Sequence, residues 1–375
     1  MYLNEITRPA LILDEHRCRR NIQRMVHKVS EQGILLRPHF KTHQSVRIGE
    51  WCRDEGIHAI TVSSVGMAMY FANSGWNDIT IAFPVNLREI GDIISLSSQI
   101  QLGLLVLDSE TVTKLGKATT NELALWVKID VGTHRTGLQP NDFSGIDQII
   151  ETIRRFPNLS FQGFLAHAGH SYLTRNKEEA KQVYDTSLGL MLQLKEKYVT
   201  SFPQIKISLG DTPGASMVDT FGEVDELRPG NFVFYDLMQQ EIGACDWDDI
   251  AVALACPVVA IHPDRLQWII YGGAIHFSKD FLQMSSGEKC FGRMVDMNTE
   301  TWSVSRVASN PYLVSLSQEH GVVQCSAETF HLCKPGDISL WLPVHSCLTA
   351  EAAGEYVMTS GEKVDHFHRE RIFHS

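Results

Sequence analysis

Between residues 30 and 240, short apolar runs alternate with amphipathic segments, and this alternation constrains the fold more than any other feature. Candidate strands fall at 35–41, 59–64, 78–84, 102–108, 124–131, 160–167, 205–210 and 224–228, the last with the weakest pattern. Between them run stripes at helical spacing: Ile146, Ile149, Ile150 and Ile153 in one segment, Tyr184, Leu188, Met191 and Leu192 in another. Near-continuous apolar strands separated by helices imply a parallel sheet covered on both faces. Eight such units predict an α/β fold, a (β/α)8 TIM barrel over roughly 30–240, near the small end of that fold's size range. A short strand at 10–14 and a helix marked by Ile22, Met25, Val26 and Val29 come before it.

After about residue 240 helical periodicity fades. Runs such as 252–261 and 266–271 are short, rich in β-formers and separated by turn residues such as His262-Pro263-Asp264 and Lys334-Pro335-Gly336-Asp337. The expected division is a barrel domain over 1–240 and a mainly β domain over 241–375, with residues before about 15 free to pack on the second. The chain has 375 residues and a net charge of −11, without a basic run, which argues against nucleic acid or an anionic membrane as a partner. No apolar stretch approaches the roughly 20 residues of a membrane span, and the first residues lack the apolar core of a signal peptide. Eight scattered cysteines without a C-x-x-C pair suggest reduced thiols and a cytoplasmic location.

Chemistry collects where the strands end. Arg37-Pro-His39-Phe-Lys41-Thr-His43 follows the first candidate strand; if the strand continues, His39, Lys41 and His43 share one face. A lysine there is either solvated or a desolvated amine suited to forming a Schiff base. The other ends carry Lys128, Asp130, Gly132, Arg135 and Gly137, then His167, His170, Ser171 and Tyr172, then Gly210-Asp211-Thr212-Pro213, then Arg228-Pro229-Gly230-Asn231. Glycine turns with hydroxyl neighbours offer N–H and O–H groups to a phosphate. Active sites of such barrels lie at the C-terminal ends of the strands. A lysine, an arginine, imidazoles and glycine turns on one rim therefore fit a phosphorylated aldehyde cofactor.

With R-P-H-x-K-T-H at 37–43, K-x-D-x-G-x-x-R-x-G at 128–137, H-A-G-H-S-Y at 167–172, G-D-T-P at 210–213, R-P-G-N-x-V-F-Y-D at 228–236, E-H-G at 319–321 and H-S-C at 345–347, the chain resembles a known family. It is similar to the pyridoxal-phosphate enzymes of the alanine racemase fold (fold type III), in the D-serine dehydratase and D-threonine aldolase branch. The resemblance implies a cofactor-carrying barrel, a C-terminal β domain and a homodimer. It further implies that Lys41 forms the Schiff base with pyridoxal 5'-phosphate, that Arg135 and His167 contact the cofactor ring, and that Tyr172, Thr212, Gly230 and Asn231 hold the cofactor or its phosphate.

His345 and Cys347 point the same way if they lie on a strand. Imidazole plus thiolate is a zinc-preferring pair, and two protein ligands leave positions open for water or substrate. Taken alone, the pair reads first as a core thiol beside an incidental histidine. The resemblance implies that it holds Zn2+, and that H-x-C in place of H-x-D tilts the chemistry toward dehydration. One stretch departs from the family pattern: Tyr271 stands where better-known members carry Asp, and His276 has no equivalent there, while Ser278 and Asp280 match. The expectation is a dehydratase, a lyase that turns a D-3-hydroxy amino acid such as D-serine into a 2-oxo acid and ammonia. The rivals are a D-threonine-type aldolase, a racemase and a non-enzymatic cofactor carrier. The β domain with its H-x-C argues against the last of these.

Overall fold

The computed structural model describes residues 5–297, 301–303 and 311–368. After β1 (Ala10–Leu13) the eight expected strands follow in order: β2 (Leu35–Leu36), β3 (Ile60–Val62), β4 (Asp78–Pro84), β5 (Gln101–Val106), β6 (Leu123–Ile129), β7 (Leu159–Ala166), β8 (Lys206–Leu209) and β9 (Glu226–Leu227). They form one parallel sheet in the order β2-β9-β8-β7-β6-β5-β4-β3. A parallel bridge between His39 and Thr61, with Phe40 N–H donating to Thr61 O at 2.8 Å and Thr61 N–H to Pro38 O at 2.9 Å, joins the two ends. The ring is thus the eight-stranded parallel barrel that the sequence predicts. Strand residues such as Ile60, Val62, Ile79 and Leu104 are buried because helices cover the outside, which is why they read as continuous apolar runs.

The loops are written for helix starts. Ser45, Ser64, Asp108, Asp142, Asn176 and Asp211 each occupy an N-cap, and each side chain accepts a backbone N–H three residues on. Inside the barrel, Arg37 ties three strands together. Its Nε donates to Glu226 Oε2 at 2.9 Å, and its terminal nitrogens reach Asp78 Oδ1 and Oδ2 at 2.6 and 3.1 Å. Glu226 is 2% exposed, so removing the guanidinium strands a buried carboxylate. Arg37→Ala is expected to cost about 3–5 kcal/mol of unfolding free energy, read as a lowered urea midpoint. An unchanged midpoint would show that the pair adds nothing.

The chain divides into two compact units, residues 23–230 and residues 1–22 with 231–368. The first ends at Gly230, ahead of the change of texture near residue 240, because the segment after Gly230 bonds to residues far along the chain. The second unit is a ten-stranded, mainly antiparallel sheet. At its centre β10 (Val252–His262) pairs on one side with Ile338–Pro343 and on the other with β1, register Ala10 to Ala255 and Leu13 to Val252. The far edge of β1 takes Tyr356–Met358 in parallel. Among the described residues no helix is long and apolar enough to cross a membrane. All eight cysteines are free thiols.

One expectation from strand alternation fails. The β2 ladder stops at Leu36, and residues 40–43 form a turn, so His39, Lys41 and His43 do not share a face. Lys41 is exposed, whereas His43 is fully buried, its ring 4.4 Å from that of Phe40 and 6.2 Å from that of Phe71. Proline at 38 interrupts the pattern, and the chain leaves its strand register beyond it.

Candidate active site

In the barrel unit the loops after β2, β6, β7, β8 and β9 bring together the residues singled out at the strand ends. The loop after β6 is pinned by its own backbone: Leu138 N–H donates to Lys128 O and Asp130 N–H to Leu138 O, both at 2.9 Å. Gly137, at φ +126°, is required there, since a Cβ would meet Asp130 N at 2.6 Å. Asp130 accepts from Gly132 and His134 N–H at 3.0 Å each. Burial would raise its carboxyl, but these hydrogen bonds outweigh that and hold it below its ordinary value. Thr133 links this loop to the next, its hydroxyl donating to His167 O at 2.8 Å and accepting from Gly169 N–H at 2.9 Å. Arg135 is carried at the exposed tip.

Lys41, Arg135 and Arg228 lie close enough to His167 to act on its charge. Burial first, then Lys41, Arg135 and Arg228, push His167 down to about 3, against a hydrogen bond to Gly210 O. His39 is lowered in the same way, by burial and then by Lys41, Arg228, His167 and Arg135, and its Nδ1 accepts from Lys41 N–H at 3.4 Å. Two neutral imidazoles thus sit among three cations. Arg228 is buried, its Nε donating to Ser208 Oγ at 2.6 Å and a terminal nitrogen to Ala166 O; burial lowers it to about 10, against the pull of Glu226 and Asp211. Among the described residues neither the Lys41 ammonium nor the Arg135 guanidinium has a hydrogen bond or ion pair. Lys128 is buried within reach of the Arg228 and Arg135 charges, its amine donating to Ile129 O at 2.8 Å and lowered to about 7 by burial and by Arg228.

The turn after β8 supplies hydroxyls. Asp211 caps the helix Thr212–Met217 and accepts from Ser171 Oγ at 2.9 Å; burial raises its carboxyl to about 6 against these bonds. Tyr172 OH lies 3.5 Å from Thr212 N, and the Thr212 hydroxyl, fully buried, has no hydrogen-bond partner among the described residues. Gly230 lets the chain pass close to the loop after β2: a Cβ would meet His39 O at 2.9 Å and Thr42 Oγ1 at 3.0 Å. Two unpaired cations, an orphaned buried hydroxyl and a phenol fit an anionic group with a phosphate, as pyridoxal phosphate has.

The β unit holds the second set. The strand Ile338–Pro343 ends before His345, which is the N-cap of the helix Ser346–Ala353. Cys347 therefore lies in the first turn of a helix and not on a strand, and the two side chains meet by a different geometry from the one expected. His345 Nδ1 is 2.6 Å from Asp280 Oδ2. Burial lowers the imidazole, but hydrogen bonds to Cys347 and Asp280 and the charges of Cys347 and Asp236 raise it to about 10. Nδ1 is turned to a carboxylate, the arrangement common to metal-binding histidines, and a cation that displaced the Nε2 proton would find its lone pair there. A helix N-terminus favours the thiolate. Nitrogen, thiolate and a backing carboxylate fit zinc; among the described residues no cluster of three or more His, Cys, Asp or Glu forms a metal cage. The Asn231 side chain belongs to this unit, on Asp236, Ser346 and Cys347. Tyr271 and His276, the departures from the family pattern, pack edge to face at 5.6 Å.

Comparison with known proteins decides the family. Residues 13–237 match the model described as alanine racemase, N-terminal domain. The chain belongs to that family. Residues 251–359 of this alanine-racemase-type chain match a second model, described as a putative serine dehydratase domain. A D-serine dehydratase of Dictyostelium discoideum is 26% identical, over 94% of this chain and 93% of the relative. A D-threo-3-hydroxyaspartate dehydratase of Delftia sp. (strain HT23) is 27% identical over 91% of each. A solved mutant form of D-threo-3-hydroxyaspartate dehydratase, described as metal-free, superposes with a TM-score of 0.88 at 25% identity, covering 98% and 99% of the two chains. The chain is thus an enzyme of the pyridoxal-phosphate fold type III family, with relatives named as dehydratases and a more distant one named D-threonine aldolase. Reading the sequence alone left Arg228, Asp211, Asp236 and Asp280 without roles. Arg228, Asp211 and Asp236 stood inside the family motifs and Asp280 matched the family pattern, but the partners of Asp236 and Asp280 lie 110 and 65 positions away.

Proposed function

We propose that the protein is a pyridoxal-phosphate- and zinc-dependent dehydratase that eliminates water from a D-3-hydroxy amino acid, D-serine or D-threo-3-hydroxyaspartate being the first candidates. The observation that carries the reading is the His345–Cys347 pair backed by Asp280, because dehydration needs help for a departing hydroxide. The bound groups would supply an electron sink at Cα and a Lewis acid at the β-oxygen. Lys41 Nζ is the amine that would hold the aldehyde and the general base that would take the α-proton. Arg135 and the neutral His167 flank the cofactor ring. Tyr172, Thr212, Gly230 and the backbone of Asn231 hold the phosphate. His345 and Cys347 hold zinc, and Asp280 keeps the Nδ1 proton on its own side of the ring. The working form is read as a homodimer.

Purified protein loaded with both groups is expected to release ammonia and a 2-oxo acid from D-serine or D-threo-3-hydroxyaspartate and to leave L-serine untouched. Glycine plus an aldehyde as products would replace this reading with an aldolase. Interconversion of enantiomers alone would replace it with a racemase.

A further inference from the structure

Asn231 and Asp236 belong to one motif, and Ser346 and Cys347 to another more than a hundred residues on; in the β unit the two form a single device. Residues 231–233 make a short helical turn, and Tyr235 takes a left-handed φ of +50°. A left-handed residue costs about 1–2 kcal/mol, and here it reverses the chain so that Asp236 caps the helix Leu237–Glu241, accepting Gln239 N–H at 3.0 Å. The other oxygen of Asp236, 1% exposed, accepts from Ser346 N–H at 2.9 Å, Ser346 Oγ at 3.2 Å and Asn231 Nδ2 at 2.7 Å.

That last contact fixes the Asn231 amide. A carboxylate only accepts, so the NH2 side must face it and the amide cannot flip. One amide hydrogen is spent on Asp236. The second faces Ser346 Oγ at 3.0 Å and Cys347 Sγ at 3.5 Å. The opposite atom, Asn231 Oδ1, is buried without a hydrogen-bond partner among the described residues, which costs about 1–3 kcal/mol. A residue present only for packing could avoid that cost. We propose that Asn231, oriented by Asp236, is the positioning residue of Cys347: its N–H is aimed at the sulfur, where it steadies the thiolate in the direction of the metal. The proposal rests on reading His345 and Cys347 as metal ligands and assigns Asn231 a task beyond the cofactor.

The test is metal binding, not turnover. Zinc affinity is measured by competition with a chromophoric chelator for the parent and for Asn231→Ala, Asn231→Asp and Asp236→Asn, with circular dichroism to check folding. The Asn231 variants are expected to bind zinc about 10–100-fold more weakly, the usual scale for lost outer partners of a ligand. In cobalt-substituted protein their sulfur-to-metal charge-transfer band should move to longer wavelength, because a thiolate that loses an N–H partner is a better electron donor. Asp236→Asn should give the same red shift in smaller measure. Folded Asn231 variants with parent affinity and an unmoved band overturn the positioning role while leaving the metal reading intact. A parent protein that takes up neither zinc nor cobalt overturns both.

Discussion

Lys41→Ala is expected to yield a protein that neither turns over D-serine nor shows the visible absorption band of a lysine-bound cofactor. The amine stands at the barrel mouth with no ion-pair partner among the described residues, beside Arg135 and the neutral His39 and His167. Nothing else there offers an amine in the same position: Lys128 is buried and its nitrogen is committed to Ile129 O. Loss of the general base alone removes about 10²–10⁴ in rate, and loss of the covalent anchor adds to it. Borohydride reduction of the parent followed by peptide mapping should place the label on Lys41. A parent protein that stays colourless after incubation with pyridoxal phosphate would sink the assignment.

The second large effect concerns His345 and Cys347. Zinc held by two protein ligands with open positions should come away more readily than from a four-ligand structural site. Chelation is therefore expected to stop β-elimination while the fold and the cofactor band persist, and added zinc should restore activity. His345→Ala and Cys347→Ala should each cost several kcal/mol of leaving-group stabilisation, seen as a fall in kcat with α-proton exchange retained. If either variant turned over D-serine at the parent rate in metal-free buffer, the pair would be no more than a core thiol and its neighbour. Zinc restoring the chelated parent but neither variant is the expected pattern.

Much of the barrel was legible because its strands are buried on both faces and carry their signal locally. The two-residue strands β2 and β9 were found only as parts of longer apolar runs, since closing the ring takes few hydrogen bonds. Alternation misplaced His43, because a proline and a turn intervene before it. The H-x-C spacing was read on the wrong element: the residues lie at a helix N-terminus and not on a strand. The carboxylates were illegible for a different reason. Asp236 and Asp280 act through partners far along the chain, and no local pattern records which distant imidazole or amide a carboxylate will face.

Threading β1 between β10 and Tyr356–Met358 sets a timetable for making the protein. About 240 further residues must be translated before β10 exists, which at roughly 5–20 residues per second is a wait of about 10–50 s. During it residues 23–230 emerge as a complete unit, while the apolar strand Ala10–Leu13 has neither neighbour. Its other edge stays open until Tyr356–Met358 follows. Those four apolar residues are thus a segment that a chaperone has reason to hold in the interval. Deleting them would leave the later unit without the strand that lies between β10 and Tyr356–Met358, although they are made far ahead of either neighbour.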